Sequence, residues 1–329
     1  MSTDVVSPAV TIGLPVYNGE NYLEVALSSI LAQTFTDFEL VISDNCSTDR
    51  TEEICRKHAA ADERIRYIRQ PKNVGGSHNY NIVLSEARGH YFKWAAHDDL
   101  IEPDFLERCV AVLEEDPGCI LAYPRTIIID AEGDAISGYI DYLAIDTEDA
   151  ARRLRRYLIP PGGEPNPVFG VFRTEVLQNR VEMGHYVSSD RVFLSQVAMM
   201  GRSRLVPAPL FMRRIHPGVS VSVNKNHLDL TQWFTGRKAR GLRFRNLRLV
   251  RELFGAVRNA ELTPEERKGC YRVLLKWMWL TKTSILKELA IPLYQNGQPT
   301  ALGRFVKSLV RRKSGPSARR GLSRSGPTH

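Results

Sequence analysis

The stretch VTIGLPVYNGENYLEVALSSILAQTFTDFELVISDNCSTDR, residues 10–50, decides the fold. Its apolar runs at 10–14 and 38–43 are short and rich in Val, Ile and Leu, as buried strands are. Between them Tyr22, Leu23, Ala26, Leu27, Ile30 and Leu31 recur at helical spacing and form one apolar stripe. A strand, a one-sided helix and a second strand make the repeating unit of a parallel sheet covered by helices. The rhythm continues to about residue 124, with further strands expected at 65–69, 91–95 and 120–123. Asp49 with Glu52 reads as a capping box for the second helix, Ser77 as a cap for the third, and Pro103 as the first residue of the fourth.

Beyond residue 123 the pattern loosens. A strand and tight turn are expected from 127, a loop at 160–167, a strand at 168–172, a helix at 190–200 and a strand at 205–211. From about residue 226 helical patterns dominate, one starting at the Thr263 cap of TPEER.

The chain has 329 residues and a formal net charge of +8, yet residues 304–329 carry eight basic side chains and no acid. Taking those eight from 45 leaves 37 basic side chains against 37 acidic ones in the body. This argues against nucleic acid as a partner, because a nucleic-acid-binding domain carries its excess charge on the folded surface. Five cysteines, scattered and without a CxxC pair, read as reduced thiols of a cytoplasmic protein. No run reaches the ~18 apolar residues of a membrane span, and MSTDVVSPAV lacks the basic and apolar regions of a secretory leader.

In an open parallel sheet, ligands bind beyond the carboxyl ends of the strands. There the sequence puts Pro15, Tyr17 and Glu20, then Asp44 and Asn45, then Asn73 and Gly75, then His97, Asp98 and Asp99. Neither a GxGxxG after the first strand nor a GxxxxGK[ST] is present to cradle phosphates. Two adjacent carboxylates at a strand end repel each other, and a divalent cation bridging to diphosphate oxygens removes that cost. One of the pair could instead cap the helix near Pro103.

Set together, these residues resemble the family-2 glycosyltransferases, inverting enzymes of the A-type glycosyltransferase (GT-A) fold that use nucleotide-diphosphate sugars. The similarity is carried by residues 10–51 and by NVGGSHNYNIVLSEARGHYFKWAAHDD, residues 73–99, and extends to about residue 222. It implies that Pro15, Tyr17 and Glu20 surround the nucleoside, that Asp44 accepts from the base, and that Asn73 and Gly75 close over it. It further implies Asp99 as ligand to Mg2+ or Mn2+, and Asp98 beside the ribose or a coordinated water. His97 receives no ligand role. In SSDRVFLSQVAMMGR, Asp190 corresponds to the family's base, with Ser189 where Glu is common; the residues alone would also allow Asp190 as an N-cap. In FMRRIHPGVSVS, His216 is expected at the diphosphate or metal, and Arg213 and Arg214 could steady the departing nucleotide.

The fold expected is thus α/β, a GT-A domain with a mostly parallel sheet over residues 1–225, followed by a helical region at 226–303 and a basic tail at 304–329. Within the domain, 9–100 would bind nucleotide and 101–225 the acceptor. The expected activity is transfer from a UDP- or dTDP-sugar to a hydroxyl of a glycan or lipid-linked acceptor in cell-surface polysaccharide or glycolipid synthesis. A non-catalytic nucleotide-sugar-binding regulator is the alternative. The segments YRVLLKWMWLTKTSILKELAIPLY and LGRFVKSLVRR could lie on an anionic membrane surface at its cytoplasmic face, or Trp277 and Trp279 could pack on the body.

Overall fold

A computed structural model describes residues 7–139, 147–159, 165–178, 181–217, 227–236 and 244–294. Among the described residues nine strands form one sheet: β1 (Val10–Val16), β2 (Phe38–Asp44), β3 (Ile65–Arg69), β4 (Tyr91–Trp94), β5 (Leu100–Ile101), β6 (Cys119–Ile129), β7 (Ala135–Tyr139), β8 (Val171–Arg173) and β9 (Arg202–Arg214). Their order is β3-β2-β1-β4-β8-β6-β9-β5, with β7 on β6. The pairs among β3, β2, β1 and β4 are parallel, β8 joins β4 to β6 antiparallel, and β6 runs parallel to β9.

The helices are α1 (Leu23–Leu31), α2 (Thr51–Ala61), α3 (Gly76–Ser85), α4 (Phe105–Glu115), α5 (Ala150–Leu158), α6 (Thr174–Gln178), α7 (Ser189–Met200), α8 (His227–Thr235), α9 (Arg245–Asn259) and α10 (Pro264–Tyr294). Strand alternation divides the core. Val10, Ile12, Leu14 and Val16 of β1 pack with Leu23, Leu27 and Ile30 of α1 and Phe105, Leu106 and Cys109 of α4 on one face. On the other face Val41, Phe92 and Trp94 pack with Val83 of α3 and Phe193 of α7. Each such buried Leu, Ile or Phe contributes about 1.5–3 kcal/mol. Gly13 of β1 faces α3, where a Cβ would stand 2.8 Å from Val83 Cγ2, so helix and strand approach closely only because it is glycine.

A third cluster joins Leu154 of α5, Val192 and Met199 of α7, Leu253 of α9 and Leu274 and Trp277 of α10. The helical C-terminal region therefore packs on the body through Trp277, whereas Trp279 is 67% exposed. Among the described residues no helix is long and apolar enough to cross a membrane.

Several local expectations change. The two strands expected near 120 and 127 are one strand, β6, whose register with β9 shifts around Pro124 and Arg125, the irregularity a proline without an N–H imposes. The strand expected at 168–172 begins as a 3-10 turn, Asn166–Phe169, and only Val171–Arg173 joins the ladder. Asp49 does not box with Glu52: its Oδ1 accepts from the Thr51 N–H and its Oδ2 from the Glu20 N–H. Ser77 lies inside α3, which Gly75 precedes, and α4 starts two residues after Pro103. Residues 160–164 of the expected loop and the tail at 304–329 lie outside the described residues.

Candidate active site

The registers of β1, β2 and β3 bring three strand ends level. Val16 pairs with Asp44, and Asp44 with Arg69. That adjacency explains the ion pair between Arg69 and Asp44 at 2.8 Å. Asp44 is fully buried, and its carboxylate also accepts from the Ser47 N–H and the Tyr67 hydroxyl, each at 2.8 Å. Three protein donors thus occupy a group that can accept about four hydrogen bonds. The next loops lock together. The Asn18 N–H donates to Ser47 Oγ, the Thr48 N–H to Asn18 Oδ1, and the Arg50 N–H to Glu20 Oε2. Pro15 is buried in β1 and Tyr17 lies exposed at the rim.

Asn73 Oδ1 accepts from Asn45 Nδ2 and from the Gly75 N–H. Gly75 has φ +89, and a Cβ there would stand 2.4 Å from the Gly236 nitrogen. Only glycine allows this crossing of the α3 entrance by the end of α8.

The short strand β5 supplies the next part. Leu100 pairs antiparallel with Met212 of β9, which carries Asp98 and Asp99 alongside the chain at Arg214 and His216. The Arg214 N–H donates to Asp99 Oδ1 at 2.9 Å, and Arg214 Nε to the Asp98 carbonyl at 2.9 Å. His216 Nε2 lies 3.1 Å from Asp98 Oδ2, and the His216 ring tilts against Tyr22, with centroids 4.6 Å apart. Asp99 is buried; burial first, then the charge of Asp98, pushes its carboxyl well above the usual range. His97 packs over Gly19, whose Cβ would stand 2.8 Å from the imidazole, consistent with a packing role.

Asp190 lies in the first turn of α7 and its Oδ1 accepts from the Arg191 N–H. Two contacts hold this turn near the end of β4. Phe193 packs edge-on against Trp94, with centroids 5.2 Å apart, and Asn81 of α3 exchanges hydrogen bonds with the backbone of Met183. Tyr80, also on α3, reports the result. Burial, followed by the negative charges of Asp98, Asp99 and Asp190, pushes its hydroxyl up. All three carboxylates thus act electrostatically on one hydroxyl. Ser189 is fully buried, and among the described residues its Oγ has no partner.

Among the described residues no three His, Cys, Asp or Glu side chains gather closely enough to enclose a metal ion. Mg2+ commonly takes only one or two protein ligands and completes its shell with substrate phosphates and water. A buried carboxyl at Asp99, whose ionised form burial and Asp98 disfavour and a cation would stabilise, fits such an ion beside the Asp98–His216 pair.

Residues 11–178, just over half of the chain, match the profile of glycosyl transferase family 2. The chain is a family-2 glycosyltransferase. It is 38% identical to the chondroitin synthase of Escherichia coli over 133 residues, 40% of this chain and 19% of that protein. It is 32% identical to an uncharacterised glycosyltransferase of Rickettsia typhi over 137 residues, 41% of this chain and 42% of the other. The similarity thus spans less than half of either relative. Staphylococcus aureus TarS 1-349 with UDP-GlcNAc superposes with a TM-score of 0.63 at 18% identity, covering 92% of this chain and 83% of that one. The mannosyltransferase PcManGT of Pyrobaculum calidifontis, with GDP-Man and Mn2+, gives 0.54 at 16% identity, covering 94% and 81%. These likenesses establish the GT-A fold of the glycosyltransferase.

In this glycosyltransferase Arg214 emerges as the clamp of the site. Besides Asp98 and Asp99 it donates to the Asp130 and Ala131 carbonyls, and its guanidinium lies 4.7 Å over Tyr22. Sequence alone marks it only as one basic residue of a pair. Tyr80 was equally hidden, since nothing in HNYN distinguishes a site residue from a helix-packing one.

Proposed function

We propose that the chain moves a sugar from a UDP- or dTDP-linked donor to a hydroxyl of a glycan or lipid-linked acceptor, inverting the anomeric carbon. Its setting would be the synthesis of a cell-surface polysaccharide or glycolipid. The observation that carries this reading is the β5–β9 pairing that sets Asp98 and Asp99 against His216 and Arg214, at the same strand ends as the linked loops of Asp44 and Asn73.

Pro15, Tyr17 and Glu20 surround the nucleoside, Asp44 uses its remaining acceptor position for the base, and Asn73 and Gly75 close over it. The UDP-GlcNAc bound by TarS supports a nucleotide donor, and the Mn2+ of the mannosyltransferase supports a metal. A divalent cation, Mg2+ or Mn2+, would be held by Asp99 and His216 and would supply positive charge against the diphosphate. Asp98 stands beside the ribose or a coordinated water. Asp190 takes the proton of the acceptor hydroxyl, whose oxygen attacks the anomeric carbon as the bond to the diphosphate breaks on the opposite face. One displacement leaves the product inverted. Arg214 fixes Asp99 in position throughout.

Asp190→Asn keeps the shape and removes the base. Transfer from UDP-GlcNAc should fall by about 10²–10⁴-fold while UDP affinity stays within about twofold. Near-normal turnover in Asp190→Asn would end this assignment.

A further inference from the structure

Beside the Asp190 end of α7 lies a cleft of about 500 Å³ lined by Tyr186, Thr231, Phe244, Arg245, Arg248 and Arg251. The arginines recur at i, i+3 and i+6 along α9 and so share one face of the helix. Their counter-charge is thin. The Glu252 carboxylate meets Arg251 at 2.6 Å and lies 3.7 Å from Arg248 Nε. Glu288, the other acid near the start of α9, instead accepts from the N–H groups of Asn246 and Leu247. Among the described residues Glu252 is thus the carboxylate within ion-pairing distance of the three guanidinium groups, while Asp190 and Glu288 act on Arg245 from further off.

Among the described residues Arg248 Nε finds no hydrogen-bond acceptor, and the Arg248 guanidinium lies 4.5 Å over the Tyr186 ring, which orients its planar fork. Arg245 donates to Ser188 Oγ, two residues before Asp190. That contact, two residues from Asp190 in the first turn of α7, links the cleft to the base. Ser188 holds φ +69, a left-handed conformation uncommon for serine, at the junction between the two.

The geometry points to an acceptor that is itself an oxyanion: an alcohol bearing a phosphate or carboxylate, held by Arg245, Arg248 and Arg251 with its hydroxyl turned toward Asp190. This rests on the transferase reading above and narrows its acceptor to an anionic class. Arginine forks match both oxyanions in two-point contacts, which a neutral glycan does not offer.

The full chain saturated with UDP is titrated with glycerol 3-phosphate and glucuronate, and with glycerol and glucose as uncharged counterparts, by isothermal calorimetry. Each anion should bind at least about tenfold more tightly than its neutral counterpart, and more weakly as salt rises. The stronger anion identifies the source as phosphate or uronate. The double variant R245Q/R248Q should lose about tenfold for the anions while its Kd for UDP is unchanged. Circular dichroism checks its folding, and R251Q, carrying one substitution, provides the same readout if the double variant is unfolded. Equal binding of charged and neutral ligands, or unaltered anion binding in folded variants, would overturn the acceptor assignment. Failure of the wild-type chain to bind UDP in the same samples would instead overturn the transferase reading.

Discussion

Lys93 lies 1% exposed within β4, five residues before Asp98. Its ammonium donates to the carbonyls of Trp94 and Phe169 and sits 4.4 Å over the Phe105 ring. Burial outweighs these contacts and lowers its pKa to about 7 from 10.5. Below about pH 7 both folded and unfolded chains hold the proton and the cost of burying it is present in full. Between about 7 and 10.5 only the unfolded chain holds it, so unfolding takes up a proton and stability from this residue rises with pH. Urea unfolding across pH 7–10 should show wild-type stability increasing relative to Lys93→Met, with a slope of at most about 1.4 kcal/mol per pH unit. A difference that stays flat over that range would mean Lys93 keeps its charge throughout. Nothing in KWAA announces such a residue, because a lysine in an apolar run reads equally well as a solvent-facing position.

At the scale of elements, legibility followed period. β1 and β2 are readable as short apolar runs, and the amphipathic helices α1 and α4 because their apolar side chains recur every 3.6 residues over enough length to show it. β5 has two residues and therefore no period, yet its pairing with β9 brings His216 to Asp98 across 118 positions of sequence. The resemblance supplied His216 where the pattern could not. Caps divided along the same line. Asp49 stands among competing donors, and the Thr51 and Glu20 N–H groups decided its partners; Ser77 lies inside α3, and among the described residues its buried Oγ has no partner. At Thr263 the expected cap is present and takes the form of a box: the Glu266 N–H donates to Thr263 Oγ1 and the Thr263 N–H to Glu266 Oε2. Thr263→Ala should cost about 1 kcal/mol in chemical denaturation, and an unchanged midpoint would show the box to be redundant with the packing of α10.

Across the whole molecule the helical region is less separate than its composition suggests. Leu253, Leu274 and Trp277 share a core with Leu154, Val192 and Met199 of the α/β body, and α7 in that core carries Asp190. Sequence marks a change of pattern near residue 226 but gives no sign of which face the later helices cover, since that depends on contacts between distant elements. One consequence is cooperative unfolding. Leu274→Ala should destabilise by about 2–5 kcal/mol, with tryptophan fluorescence and circular dichroism giving coincident transitions. Two separated transitions would show that the helical layer unfolds independently of the catalytic half.

The central claim is that the carboxyl ends of β1, β2 and β4 form one donor site with Asp190 across from Asp99. A crystal structure of the full chain with UDP and Mn2+ tests it most directly. The account predicts the base beside Asp44 and Asn73, the diphosphate and Mn2+ between Asp99 and His216, and Asp190 facing the space where the sugar would lie. UDP seated instead at the opposite end of the strands, in the cleft of about 480 Å³ lined by Gly89, Tyr91, Glu114 and Arg173, would contradict it.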